Sequence, residues 1–126
     1  HKNPITVETG TPIQEVARLI TEKKVRHVYV TEDQLLVGVV GATDIIEKLV
    51  AEGKDYSKAN AEDVMNQVRS VSKEQDPEYA YLIMRNFSTY TCPVVDEDQK
   101  LTGFYKFHEV CEELNKQVRG GADGTW

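Results

Sequence analysis

Cysteine is scarce in this chain. Two thiols, Cys92 and Cys111, occur in 126 residues. Their spacing suits no metal site, and two thiols in an acidic chain read as reduced, with the cytoplasm as the expected compartment. Long apolar runs are absent. None approaches the roughly 20 residues that a membrane-crossing helix needs, so direct membrane contact is not expected, and no secretory signal pattern is recognisable. Positive charge is in deficit: 15 Lys and Arg stand against 21 Asp and Glu, a net charge of −6. A general nucleic-acid binder needs a basic face, and this balance argues against one, although it leaves room for a local pocket around a single phosphate. His27 and His108 have no second ligand at metal-binding spacing. No nucleophile has a base at hand, and no glycine loop of the phosphate-cradling kind occurs, so an enzyme is not expected.

What is present is a core-forming fraction of 40% apolar residues, enough for one compact domain or two half-domains. The organising stretch is Leu36-Val37-Gly38-Val39-Val40-Gly41-Ala42-Thr43-Asp44, a short apolar strand that breaks at glycine and turns into a helix opening with a carboxylate. A second copy follows, Leu101-Thr102-Gly103-Phe104-Tyr105-Lys106-Phe107-His108-Glu109. Gly38 and Gly103 stand 65 residues apart, as do Asp44 and Glu109.

The surrounding pattern repeats as well. Pro4 to Val7 alternates like a half-buried strand. Thr11-Pro12-Ile13-Gln14 reads as a helix start, with Thr11 as cap, Pro12 in the first position and Gln14 completing a capping box. Ile13, Val16, Ala17 and Ile20 form one apolar stripe, and the helix is expected to end near Lys23 or Lys24. Val25 to Thr31 and Leu35 to Val40 read as strands of a hairpin around Glu32 to Gln34. A helix from Thr43 or Asp44 carries Ile45, Ile46, Leu49 and Val50. Residues 54–60 read as a polar linker, and Ala61 to Met65 as a helical turn. The second half gives a strand at Val68 to Ser72 and a helix capped by Asp76 with the stripe Ala80, Ile83, Met84 and Phe87. Strands follow at Thr89 to Val95 and Leu101 to Tyr105. A last helix uses Val110, Cys111, Leu114 and Val118 and is expected to stop at Gly120-Gly121, with a loose tail after it. Val7 with Val71, Val16 with Ala80 and Val30 with Val94 share an offset of 64, which becomes 65 after the turn at Asp96 to Lys100. One extra residue in that turn accounts for the change, as an old duplication would tolerate. The expected organisation is a first repeat at 1–53, a linker at 54–60, a second repeat at 61–119 and a flexible tail at 120–126. His1 aligns with Met65, so the counterpart of Ala61 to Val64 is expected to precede the chain.

Asn3 to Val7, Val25 to Val30, Leu36 to Val40 with Asp44, Asp63-Val64-Met65 and Cys92 to Asp98 together resemble a tandem pair of cystathionine-β-synthase (CBS) domains, the Bateman module. The resemblance covers residues 3 to about 117. It implies an α/β (α+β) fold of two βαββα repeats packed sheet to sheet with pseudo-twofold symmetry. It also implies a regulatory, signal-transducing or energy-sensing role, with an adenosine compound (AMP, ADP, ATP or S-adenosylmethionine) in clefts between the repeats. A homodimer through the CBS helices, and an attached or associated enzyme or transporter, are the implied partners. The alternative is a structural dimerisation module that binds no ligand.

By the resemblance, Asp44 matches the ribose-binding aspartate, Ile5, Thr6 and Val7 the strand near the base, and Arg26, His27 and Val28 the segment near base and phosphate. Gly41 stands where the family usually carries Thr or Ser, and Thr43 is the nearby hydroxyl that can partly substitute. Lys106 and Glu109 are the second-repeat equivalents of Gly41 and Asp44. The chemistry is consistent: a carboxylate accepts both hydroxyls of a ribose, and a helix start offers N–H groups to phosphate. Plainer readings stay open. Asp44 suits a first helical turn regardless of ligand; Arg26 and His27 fit an exposed strand face; Lys106 fits a solvated position. Cys111 fits a core stripe, and Tyr79, Tyr81, Phe87 and Tyr90 fit a core or a dimer face.

Overall fold

A computed structural model describes residues 3–72 and 77–122, with side chains described through 116. The chain divides into two compact units, Pro4–Val68 and the part from Arg69 onward. The first unit runs β1 (Thr6–Glu8), α1 (Ile13–Lys23), β2 (His27–Glu32), β3 (Leu35–Gly41) and α2 (Ala42–Ile45), which widens into a π-helical turn over Ile46–Val50. After a 3-10 turn at Tyr56–Lys58 comes α3 (Ala61–Val64). The second unit runs β4 (Val71–Ser72), α4 (Pro77–Asn86), β5 (Thr91–Val95), β6 (Leu101–Lys106) and α5 (Phe107–Ala122). Each unit has one three-stranded sheet, ordered β1-β2-β3 or β4-β5-β6, with a parallel pair and an antiparallel pair. The fold is therefore mixed α/β in both halves.

The duplication is legible down to single hydrogen bonds. Val7 pairs with Val30 in β1–β2, and Val71 with Val94 in β4–β5. A bulge interrupts the hairpin ladder between Val30 and Thr31, and again between Val94 and Val95. Both first helices end with a residue in the left-handed region, Lys24 at φ 55° and Ser88 at φ 53°. The next N–H reaches back five residues in each, Val25 to the Ile20 carbonyl and Thr89 to the Met84 carbonyl, which is the Schellman closure made without glycine. The extra residue sits in the second hairpin. Asp33 and Gln34, both at positive φ, make a two-residue turn between Glu32 and Leu35. In the second unit Asp96 N–H instead bonds the Lys100 carbonyl across three residues, with Gln99 at positive φ. Two- and three-residue loops of these kinds are the common ways to close a twisted hairpin.

Packing follows the apolar stripes. Ile13, Val16 and Ile20 of α1 bury against Val28 and Val30 of β2 and Val40 of β3. Ala80 and Met84 of α4 bury against Val71, Cys92, Val94 and Val110. Several expectations are corrected. Thr11 does not cap α1: its hydroxyl donates to the Glu8 carbonyl at 2.7 Å, and the first helical N–H, of Ile13, bonds the Ala59 carbonyl at 3.0 Å. The segment after the 3-10 turn supplies that cap because Ala59 is itself buried in the first core. Ile46 and Val50 are 56% and 65% exposed, because Ile45 and Leu49 take the inward side of the helix. Phe87 is exposed, since α4 ends at Asn86 and the closing turn carries Phe87 off the stripe to lie beneath the Arg69 guanidinium, 4.9 Å from the ring centroid. Tyr79 and Tyr90 are exposed as well, while Tyr81 stacks on Phe107 at 5.6 Å. β4 is only Val71–Ser72, and α5 continues through Gly120 and Gly121 to Ala122; glycine costs a helix about 1 kcal/mol, too little to end it by itself. The cap expected at Asp76 and the tail beyond Ala122 lie outside the described residues.

The repeat in sequence and the unit in space do not share a boundary. Ala61 and Val64 bury in the first core, and Asn66 exchanges both backbone bonds with Val39 at 2.9 and 3.0 Å. Residues 61–68, second-repeat by register, thus form a strap across the first unit. The strap runs directly over Gly38, where a Cβ would meet Met65 Sδ at 2.6 Å and the Asn66 carbonyl at 3.0 Å.

Candidate functional site

The strand-to-helix corner of the first unit is built by β3 running out at Gly41 and α2 starting at Ala42. Ala42 N–H bonds the Arg26 carbonyl at 2.9 Å, which pins the helix start to the end of β2. Asp44 stands third in the helix. Its Oδ2 accepts from Gly41 N–H at 2.7 Å, satisfying one of the N–H groups a helix start leaves over. Its Oδ1 accepts from Asn66 Nδ2 at 2.7 Å, and Lys48 Nζ lies 4.0 Å away. Lys48 also donates to Asn66 Oδ1 at 2.7 Å and to the Val64 carbonyl at 2.8 Å. The Asp44 side chain keeps 15% of its surface open to solvent. A carboxylate so placed can still accept further donors, because each oxygen carries two lone pairs.

Gly41 bears on the same carboxylate. A Cβ there would come within 3.3 Å of Asp44 Oδ2 and 3.8 Å of Thr43 Oγ1. The glycine therefore lets Asp44 fold back onto its own helix start, and the Thr43 hydroxyl lies beside the place a side chain at 41 would fill. Arg26 is exposed, next to the corner it pins. His27, paired with Gly41 in the ladder, sets its ring edge-on to Tyr29 at 5.1 Å. Val28 is fully buried, and its side chain belongs to the core. Ile5 packs against the same core, and its carbonyl accepts from Tyr29 N–H at 2.9 Å. Thr6 and Val7 line a concavity of about 460 Å³ with Thr11, Glu15, Arg18, Leu19 and Glu22. A second concavity of about 300 Å³ has Lys48, Lys54 and Lys58 on its wall together with Glu52, Asp55 and Asp63. Within the first unit, then, Arg26, His27, Gly41, Thr43 and Asp44 converge on one corner, and Thr6 and Val7 line a different hollow.

The second unit repeats the corner with other side chains. Phe107 N–H bonds the Tyr90 carbonyl at 2.8 Å, the counterpart of the Ala42–Arg26 bond. Lys106 closes β6 opposite Thr91, and Glu109 stands third in α5, where Asp44 stands in α2. Tyr81, Tyr90 and Phe107 crowd this corner, with Tyr90 edge-on to Phe107 at 6.5 Å.

Asn66 and Lys48 were not singled out from the sequence. Lys48 could have been, since it lies one helical turn after Asp44. Asn66 lies 22 residues further on and reaches Asp44 only through the strap. The cysteines are both free. Cys92 is wholly buried and its thiol is pushed from 9.0 up to about 11 by desolvation, whereas Cys111 is half-buried rather than core. A thiol held protonated in the fold adds stability that is intact below pH 9 and is lost as pH rises through about 11. The alkaline fall in stability is therefore expected to be shallower for Cys92→Ala than for the parent protein in urea melts at pH 8 and 10.5. Iodoacetamide is expected to label Cys111 first. Equal labelling rates in the native state would contradict the burial argument.

Among the described residues no helix is long and apolar enough to cross a membrane, and no group of three His, Cys, Asp or Glu is placed to hold a metal. The CBS domain profile matches residues 1–51 and 61–116. An uncharacterised protein of Methanopyrus kandleri is 27% identical over 111 residues, 84% of this chain. The chain spans 57% of that relative's length and 21% of the length of two larger enzymes it also matches. Among solved structures, a CBS domain protein of Pyrobaculum aerophilum complexed with AMP superimposes with a TM-score of 0.80 at 22% identity, covering 92% of this chain and 95% of that one. A CBS domain pair in complex with 5′-methylthioadenosine and S-adenosyl-L-methionine gives 0.75 at 21% identity, covering 93% and 92%. Two matched segments, one in each half of a duplicated fold, place the chain in the CBS domain family.

Proposed function

We propose that this chain is a regulatory module that senses an adenosine-type ligand, with AMP as the first compound to try. The observation that carries the reading is the twice-written corner: a carboxylate third in a helix, directly after a strand end, at Asp44 and again at Glu109. Asp44 accepts ribose hydroxyls. Thr43, Arg26 and His27 surround the same corner, and Ile5, Thr6, Val7 and Val28 contribute through the adjoining strands, Val28 by its backbone alone. Lys106 and Glu109 serve a second site, where Lys106 faces phosphate. Structures of the same fold hold AMP, and 5′-methylthioadenosine with S-adenosyl-L-methionine, which supports this ligand class. The module regulates and does not turn substrate over; the protein that it regulates, an enzyme or transporter, is attached or associated. It works in the cytoplasm as a homodimer, for which the exposed Ile46, Val50 and Tyr90 offer apolar surface.

The test is thermal and chemical unfolding with AMP, ADP, ATP and S-adenosylmethionine. A ligand at 100 times its Kd is expected to add about 2.7 kcal/mol to stability. Unmoved melting curves with all four at millimolar concentration would sink the proposal.

A further inference from the structure

Asn66 occupies the carboxylate that the proposed ligand needs. Its Nδ2 donates to Asp44 Oδ1 and its Oδ1 accepts from Lys48 Nζ, both at 2.7 Å. The amide is oriented by its neighbours, the NH2 end toward an anion and the oxygen toward an ammonium. A ribose hydroxyl has the same two faces: an O–H to donate to Asp44 and a lone pair to offer Lys48. The fastening is also exchangeable. Asn66 is exposed, and hydrogen bonds open to water contribute little. Its backbone is held separately, by the paired bonds to Val39. The side chain can swing off Asp44 while the strap stays in place.

We infer that Asn66 is an internal stand-in for the ligand's diol, which binds Asp44 only by displacing the Asn66 amide, so that Asn66 sets both affinity and selectivity for a ribose. This rests on the reading of Asp44 as a ligand-binding carboxylate. Displacement has a second consequence. Lys48 loses Asn66 Oδ1 as a partner and keeps the Val64 carbonyl, so one of its donors turns to the ligand.

Calorimetric titration of adenosine and 2′-deoxyadenosine into the full chain and into Asn66→Ala tests this. Asn66→Ala is expected to bind adenosine roughly three- to tenfold more tightly, the worth of one solvent-exposed bond to a charged group. The gain is expected to be smaller for 2′-deoxyadenosine, which lacks one of the two hydroxyls. Asn66→Ser, whose short side chain cannot span to Asp44, gives the same test if the alanine variant melts early. Adenosine binding that is unchanged or weaker in variants with a normal melting curve overturns the inference and leaves the Asp44 reading standing. A gain equal for both nucleosides also overturns it, because a structural role of Asn66 would not distinguish them. Binding of neither nucleoside by any of the proteins overturns the reading and the inference together. Binding by the variants alone supports the inference in its strongest form.

Discussion

Asp44→Ala is expected to weaken AMP binding by about 1.5–3 kcal/mol, roughly 10- to 150-fold, because a hydrogen bond to a charged acceptor is lost. The same substitution is expected to lower stability by about 1 kcal/mol, since Gly41 N–H loses its capping acceptor at the start of α2. Asp44→Asn separates the two effects. An asparagine oxygen can still accept from Gly41 N–H, so most of the stability stays, while the charge that holds a diol is gone. Calorimetric titration read beside urea melts checks both variants. Asp44→Asn binding AMP as well as the parent protein would remove this carboxylate from the ligand site and leave it a helix cap only.

The second large effect is expected at Gly38. Gly38→Val places a side chain where the strap crosses β3, against Met65 Sδ and the Asn66 carbonyl. The thioether can rotate aside, but the carbonyl belongs to backbone paired with Val39 and cannot retreat without breaking that pairing. The expected loss is about 3 kcal/mol, the upper part of the range for overpacking a filled site. Valine suits a strand by itself, so the loss isolates the crossing. Hydrogen exchange distinguishes the cause: protection of the Val39 and Asn66 amides should fall further than that of the α1 amides. Uniform protection across the first unit with an unchanged melting point would show that the strap does not depend on Gly38.

Much of the fold could be read from residue spacing. The stripe Ile13, Val16, Ile20 buries as its period requires, and so do Ala80 and Met84. The shift of offset from 64 to 65 located a three-residue hairpin loop against a two-residue one. The strand-to-helix corner and its carboxylate were equally visible, because both follow from neighbouring residues. The misreadings have a common origin. Ile46, Val50 and Phe87 carry the right period, but a stripe says which residues share a face and not how wide the buried part of that face is. Thr11 has the right identity for a cap, yet the Ala59 carbonyl arrives from a segment distant in sequence and takes the role.

Alone, the order of residues determined that one βαββα unit is written twice and that each copy turns from strand to helix at an acidic residue. Periodicity, turn chemistry and first-turn carboxylates act over a few bonds, and a single chain displays them. Only the tertiary structure decided that residues 61–68 cross back over the first unit, and that Asn66 and Lys48 close on Asp44. Those contacts depend on where a distant segment lands, which is set by the combined packing of Ala59, Ala61 and Val64 in a core built mainly by other elements.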